Sequence, residues 1–286
     1  MNKKSIIFIV IAIILAIVGF SSKNTSKQTD AISKAVYVED GKVLPENEGK
    51  IVIVPGKLEA VTPLVDEITG VQLPGVIAKR TVERYEKVSN SDEDGTYYTL
   101  EWKNTLLGKD NEFNDIVSSV LIAETKLGEF IVDNNALHHV AVGTPFNDFD
   151  SQALHQRGYT MYPKTGITYI SKIDFMPDGN EEYHSSFTRN GISKVYYRDY
   201  ENVPRINYAT QRVESGEYTF IGKQQNGKLM YDKDLDMQAA FDGLQNPTEL
   251  AERVESGGMI GAIVAWALAA FFVLLAVLGV VKKKEN

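Results

Sequence analysis

Two uncharged apolar runs bracket the chain, and between them the pattern changes to short β-branched stretches separated by turn residues. The longer run, Met259–Val281, ends directly against Lys282, Lys283 and Lys284. At about 1.5 Å of rise per helical residue it reaches across a hydrocarbon core about 30 Å thick, so the pattern predicts a membrane-spanning helix. Lysine is retained on the cytoplasmic face, which puts the C-terminus inside and everything before Met259 on the other side. The N-terminal run, Ser5–Phe20, follows Lys3 and Lys4 and is rich in isoleucine. Its length suits either a secretory signal or a short span. Phe20 stands where cleavage needs a small residue, and no cysteine follows for lipid attachment, so the run reads as an uncleaved second anchor with its N-terminus inside.

Between the runs, Ser21–Asp30 is polar and reads as the start of a tether over 21–34. Val36–Val38 and Ile51–Val54 read as strands, with Pro55-Gly56 ending the second. Ile77–Val88 and Thr96–Lys103 flank a polar loop that finishes in Asp94-Gly95, the signature of a long hairpin. Val117–Glu124 and Glu129–Asp133 are short apolar stretches, Ala136–Val142 reads as a strand or a helical turn, and Gly143–Gly158 reads as an exposed loop. Thr165–Phe175, Val195–Tyr200 and Arg205–Arg212 read as strands, with a turn at Pro177-Asp178-Gly179-Asn180. Asn226-Gly227 joins Glu217–Gln224 to Lys228–Tyr231 with the strongest short hairpin signal in the chain. The period then becomes helical over Leu235–Leu244, and Asn246-Pro247-Thr248-Glu249 supplies a cap, a first-turn proline and an N3 glutamate before Leu250–Val254. Gly257-Gly258 predicts a break or bend at the membrane surface.

The architecture expected is therefore α+β: a mainly antiparallel β ectodomain over 35–258 with a short C-terminal helical segment, flanked by two transmembrane helices at 5–20 and 259–281. Residues 1–4 and 282–286 become cytoplasmic tails. Setting the terminal Lys3, Lys4, Lys282, Lys283, Lys284 and Glu285 aside leaves 25 basic and 37 acidic residues, a net charge of −12 for the exterior segment. Such a charge disfavours nucleic acid and anionic membrane surfaces as partners of the domain body. The chain has no cysteine, which removes disulfides, thiolate metal sites and cysteine nucleophiles.

Candidate chemistry is sparse. His138, His139, His155 and His184 lack H-E-x-x-H or i, i+4 spacing, and they read as surface or loop histidines. Asp174, Asp178, Asn180 and Glu182 offer oxygen ligands without the order of a calcium loop. No phosphate loop, dinucleotide fingerprint or nucleophile elbow is present, so neither an enzymatic activity nor a cofactor is expected. Small residues do recur in the apolar runs. Gly257, Gly261, Ala265 and Ala269 repeat every four residues, and Ala12, Ala16 and Gly19 form a shorter stripe. Such stripes let helix backbones approach in lipid, and they predict either packing of the two helices within one chain or a homo-oligomer through the C-terminal helix.

Several segments, in order, resemble the transmembrane protein 43, or LUMA, family. Asn47-Glu48-Gly49-Lys50 before Ile51–Gly56 is similar to that family's N-E-G-[KR] segment. Ile77–Tyr85 resembles its apolar-x-R-x-V-E-x-Y element, Thr96–Trp102 its aromatic strand, and Leu127–Phe130 its L-G-x-F step. Val203–Ile206 with Ile221–Leu229 is similar to its late strand and G-x-Q-x-x-G-x-L hairpin. Family members carry further membrane helices after the segment matching Met259–Val281, so on this likeness the chain is a shortened member. The resemblance implies a membrane-anchored protein that organises protein assemblies, without an enzymatic activity.

Two functional classes follow. The first is a membrane-anchored scaffold whose acidic extracytoplasmic or lumenal domain binds other proteins. The alternative is an extracytoplasmic module that binds or senses a small ligand. The location is a membrane: the plasma membrane of a prokaryote first, and the endoplasmic reticulum or nuclear envelope if the chain is eukaryotic. Lys283 and Lys284 match a dilysine retrieval signal, but the retention of lysine on the cytoplasmic side explains them equally.

Overall fold

The apolar run at each end of the chain forms a helix, α1 (Lys3–Lys23) and α5 (Pro247–Lys284). The computed structural model describes residues 3–23, 26–92, 95–104, 113, 115–174, 176, 181–182 and 203–284, with parts of the terminal helices given by their backbone alone. The strands expected at Val195–Tyr200 and the turn at 177–180 lie outside these residues. The chain divides into two units, one from 1–56, 127–139 and 217–286 and the other from 57–126 and 140–216.

In the first unit a short helix, α2 (Ser26–Lys34), occupies the segment read as a tether. Its Ile32 explains why: the side chain is buried with Ile53, Ile221, Met237, Phe241 and Leu250, and this contact holds the polar helix in place. A sheet follows in the order β1 (Val36–Tyr37), β2 (Ile51–Ala60), β8 (Thr125–Leu127), β9 (Phe130–Val132), β16 (Lys228–Met230), β15 (Glu217–Gln225) and β17 (Ala240–Asp242). β2 also pairs with β15, so the middle strands close on themselves. β15 buries both faces accordingly, Tyr218, Phe220 and Gln224 on one and Thr219 and Ile221 on the other. The Asn226-Gly227 turn forms as expected, with φ of 52° and 74° at its two residues, the geometry that favours Asn-Gly in two-residue hairpins.

Three local expectations fail for identifiable reasons. Pro55-Gly56 does not end β2, because the strand finds a new backbone partner beyond it: Leu58 donates to the Gly216 carbonyl at 2.8 Å. The Leu235–Leu244 periodicity does not make a helix. Asp236 takes a left-handed φ of 49° after a 3-10 turn, and Ala240–Asp242 is drawn into the sheet as β17 against Tyr218–Phe220. Leu235, Met237 and Phe241 still reach the core, but from a turn and a strand. Gly257-Gly258 does not break the last helix, which runs unbroken from Pro247. Its start is the capping box read from sequence: Asn246 Oδ1 accepts from the Thr248 and Glu249 amides, and Glu249 returns to the Asn246 amide at 2.9 Å.

The second unit is built on an eight-stranded sheet. Its main path is β11 (Thr160–Lys164), β12 (Ile167–Ser171), β14 (Pro204–Gln211), β5 (Ile77–Asp92), β6 (Gly95–Lys103) and β13 (Glu181–Glu182); β7 (Ser119–Ile122) pairs with β5, and β10 (Val142–Phe146) with β14. All of these pairings are antiparallel. The long hairpin forms, with Tyr85 opposite Trp102, and its strands run on through most of the stretch read as a polar loop, so that Asp92 stands opposite Gly95. A small hairpin, β3 (Leu64–Val65) with β4 (Gln72–Leu73), and the short helix α4 (Ser151–Gln156) cover one face, where Ile206, Tyr208, Val82, Ile170, Leu154 and Tyr159 are buried together. Gly143–Gly158, read as a loop, is thus β10 followed by α4, whose N-cap Asp150 accepts from the amides of Gln152 and Ala153. The stretch Ala136–Val142 contains the end of a helical turn, α3 (Asn134–Leu137), in the first unit.

Two glycines with positive φ test this packing against each other. A Cβ on Gly128 would lie 2.5 Å from the Gly41 carbonyl oxygen, whereas a Cβ on Gly49 would meet nothing within 4 Å. Gly49→Ala is expected to cost about 1 kcal/mol from backbone strain alone. Gly128→Ala adds a backbone clash and should cost about 3 kcal/mol or more. Denaturant unfolding of the two variants checks this; equal losses would mean that the Gly41–Gly128 approach is not tight.

Candidate functional site

The small-residue stripes meet in part. Ala12 is buried and Ala16 half-buried on α1, while on α5 Ala265 and Ala269 are buried together with Ala262, which the four-residue spacing missed. Gly261 is half-buried and Gly257 exposed, so the buried stripe drifts off the four-residue line, by about 0.4 residue per turn on a 3.6-residue period. Gly19 lies on α1 where only the backbone is described. The Phe8 and Phe272 rings stand 6.0 Å apart, and α2, which continues from α1, packs its Ile32 against Leu250 at the start of α5. The two helices therefore run antiparallel side by side. Their opposite faces carry Ile7, Ile14, Ile260 (62% exposed), Ile263, Phe271 and Leu274 in the open. By length and composition α5 is the one helix among the described residues able to cross a membrane; the apolar stretch of α1 with described side chains, Ile6–Ala16, is shorter than a span. Two transmembrane helices are thus one more than length and hydropathy support.

The second unit holds a buried charge network that nothing in the sequence announced. Asp66, fully buried, begins the β3–β4 loop and accepts from Arg80 Nη1 at 2.5 Å, from the Tyr208 hydroxyl at 2.5 Å and from the Ile68 amide at 2.9 Å. Since the Tyr208 proton goes to Asp66, the Tyr208 oxygen must accept from Thr69, whose Oγ1 lies 2.7 Å away and itself receives the Val71 amide. Burial alone would push the Asp66 carboxyl up. The Arg80, Tyr208 and Ile68 donors together outweigh it and hold the carboxyl below the ordinary carboxylate range. Burial, then the Asp66 charge, pushes the Tyr208 hydroxyl far above its ordinary value.

This network fixes the 66–71 loop as the floor of a pocket of about 290 Å³, walled by α4 and by Asp148-Phe149-Asp150. Arg157, just after α4, lies over Gly70: a Cβ there would come within 2.2 Å of the guanidinium carbon, and the φ of 73° suits glycine as well. A second hollow of about 460 Å³ shares Asp148, but its Gln211 and Asn147 side chains are already bonded to backbone at Val76, Val213 and Thr168.

The histidines are not brought together. His138 and His139 follow α3, where His139 packs on Tyr231 at 4.6 Å and burial lowers its pKa; His155 sits on α4, and His184 lies outside the described residues. Among the described residues no group of three or more His, Asp or Glu could hold a metal ion. Of the oxygens read as lacking calcium-loop order, those of Asp178 and Asn180 lie outside the described residues. No protein-family model matches the chain, and no curated protein matches it.

Removing Arg80's charge tests the network. Arg80→Met leaves a buried carboxylate without its cation and is expected to cost about 3–5 kcal/mol at neutral pH. The sign in pH follows from the depressed Asp66 pKa. Its stabilising linkage is complete above the unfolded carboxylate pKa of about 3.9 and is lost as pH falls through the lower folded value. Acid unfolding of the wild type should therefore contain a step that Arg80→Met lacks; the same acid limb in both would remove Asp66 from the account.

Proposed function

We propose that the chain is a membrane-anchored scaffold, held by a helical hairpin of α1 and α5, whose acidic extracytoplasmic or lumenal units bind other proteins. The observation that carries the anchor is the exposed aliphatic surface along both helices, set against alanines that face the partner helix. Leaving so many large aliphatic side chains half in water forfeits on the order of 10 kcal/mol of burial, comparable to the whole stability of a domain. Lipid removes that cost, and in lipid the contact between the helices depends on the small residues. α1 enters the bilayer in this reading beside α5, its backbone of 21 residues reaching about 32 Å. Lys282–Lys284 keep both ends in the cytoplasm.

The likeness to the transmembrane protein 43 family belongs to the same proposal and stands on the order of its motifs. Protein binding is supported by the net negative charge and by the sheet edges at β1 and β17, each paired on one side only among the described residues. A location in the plasma membrane of a prokaryote, or in the endoplasmic reticulum or nuclear envelope of a eukaryote, follows from the anchor and the lysines.

Protease added outside sealed cells or vesicles should cut between the helices and spare an epitope placed after Lys284. Single cysteines at Ser21 and Gly258 should crosslink within one chain. Ala262→Leu with Ala265→Leu should weaken that crosslink, because overpacking such a contact costs about 1 kcal/mol or more. An outside-accessible C-terminal epitope would sink the topology, and crosslinks formed only between chains would replace the hairpin by a dimer.

A further inference from the structure

The pocket beside α4 presents two opposite charges that do not meet. Arg157 and Asp148 both line it, and neither side chain has a hydrogen bond or an ion pair to any described residue. The other carboxylate, Asp150, is engaged at the helix cap. The Arg157 guanidinium lies against Gly70, where any side chain at 70 would displace it. Gly70 is in turn fixed by its amide bond to the Asp66 carbonyl at 2.6 Å, on the loop that the buried network pins. Phe149, Ala153 and Leu154 supply apolar lining to the same pocket.

We infer that this pocket binds a small zwitterion, a free α-amino acid with a short uncharged side chain. The ligand carboxylate pairs with the Arg157 guanidinium, whose planar fork matches it. The ammonium pairs with Asp148, and the side chain lies against Phe149. At about 290 Å³ the pocket stands at the lower edge of the range for ligand pockets, roughly 300–1,000 Å³, which suits a ligand of this size. A chain terminus would bring only one of the two charges. A lone anion would leave Asp148 facing it and a lone cation would face Arg157, so the pair of charges selects for both on one molecule. The inference uses residues of the second unit alone and is independent of the membrane anchor.

Calorimetric titration of the full chain in lipid nanodiscs with alanine, serine and leucine tests it. Saturable binding of at least one is expected, with isoamylamine and 4-methylpentanoate, the leucine analogues lacking one charge, about tenfold weaker or more. Arg157→Gln should lose leucine binding by a similar factor and stop discriminating against isoamylamine; Asp148→Asn should stop discriminating against 4-methylpentanoate. Both side chains are exposed, so the variants should melt with the wild type. Absence of saturable binding by all three amino acids up to about 10 mM, a dissociation constant weaker than any useful site, overturns the inference, as does unchanged binding in both variants.

Discussion

The approach of α1 to α5 is the constraint from which the first unit takes its form. Helices at the two ends of the chain can lie side by side only if everything between them returns to its starting point, and the unit is accordingly assembled from 1–56, 127–139 and 217–286. β15 makes that return possible. It pairs with β2 from the first segment, with β16 across a tight turn, and with β17 just before α5, so one strand ties the beginning of the chain to its end. On the anchored reading, the contact buries alanines in place of larger side chains because in lipid a bulky apolar residue gains little by turning away from hydrocarbon, while a small one lets two backbones gain dispersion contacts.

The second unit depends on a different interaction. A buried carboxylate and guanidinium are costly to desolvate, and apolar residues of the same volume would serve stability as well. What the pair adds is direction: Asp66 closes its own loop through the Ile68 and Gly70 amides while Arg80, on β5, also donates to the Val117 carbonyl at 2.8 Å. An apolar substitute could fill the space but could not set where the loop sits over the sheet. The pocket floor is part of that loop, so its geometry is inherited from the network.

Legibility followed the range of the interactions. The Asn226-Gly227 hairpin, the long β5–β6 hairpin and the Asn246–Glu249 capping box are decided by neighbours in the chain, and each was readable. Leu235–Leu244 was not, because its helical period was real but the unpaired edge of β15 offered backbone bonds that a helix there could not match. Small residues marked the two helices, but a four-residue repeat drifts off the face that a 3.6-residue helix presents, so Ala262, off the repeat, is buried and Gly257, on it, is exposed. The Asp66–Arg80–Tyr208 network was invisible because its members are up to 142 residues apart and each is an ordinary residue in its own segment.

The same network bears on the charge that a partner would meet. Arg80 and Arg84 are buried, the latter donating to the Phe113 and Ile116 carbonyls, and Arg205 is stacked between the Trp102 and Tyr169 rings while bonded to Glu83 at 2.8 Å. Arg80 and Arg205 are each matched by a carboxylate, Asp66 and Glu83, so these pairs take one charge of each sign out of play. The acidic excess between the terminal lysine clusters, 25 basic against 37 acidic residues, is therefore left unchanged by them. On the scaffold reading a matching partner is basic, and its encounter with this surface weakens as salt shortens the Debye length towards about 8 Å at physiological ionic strength.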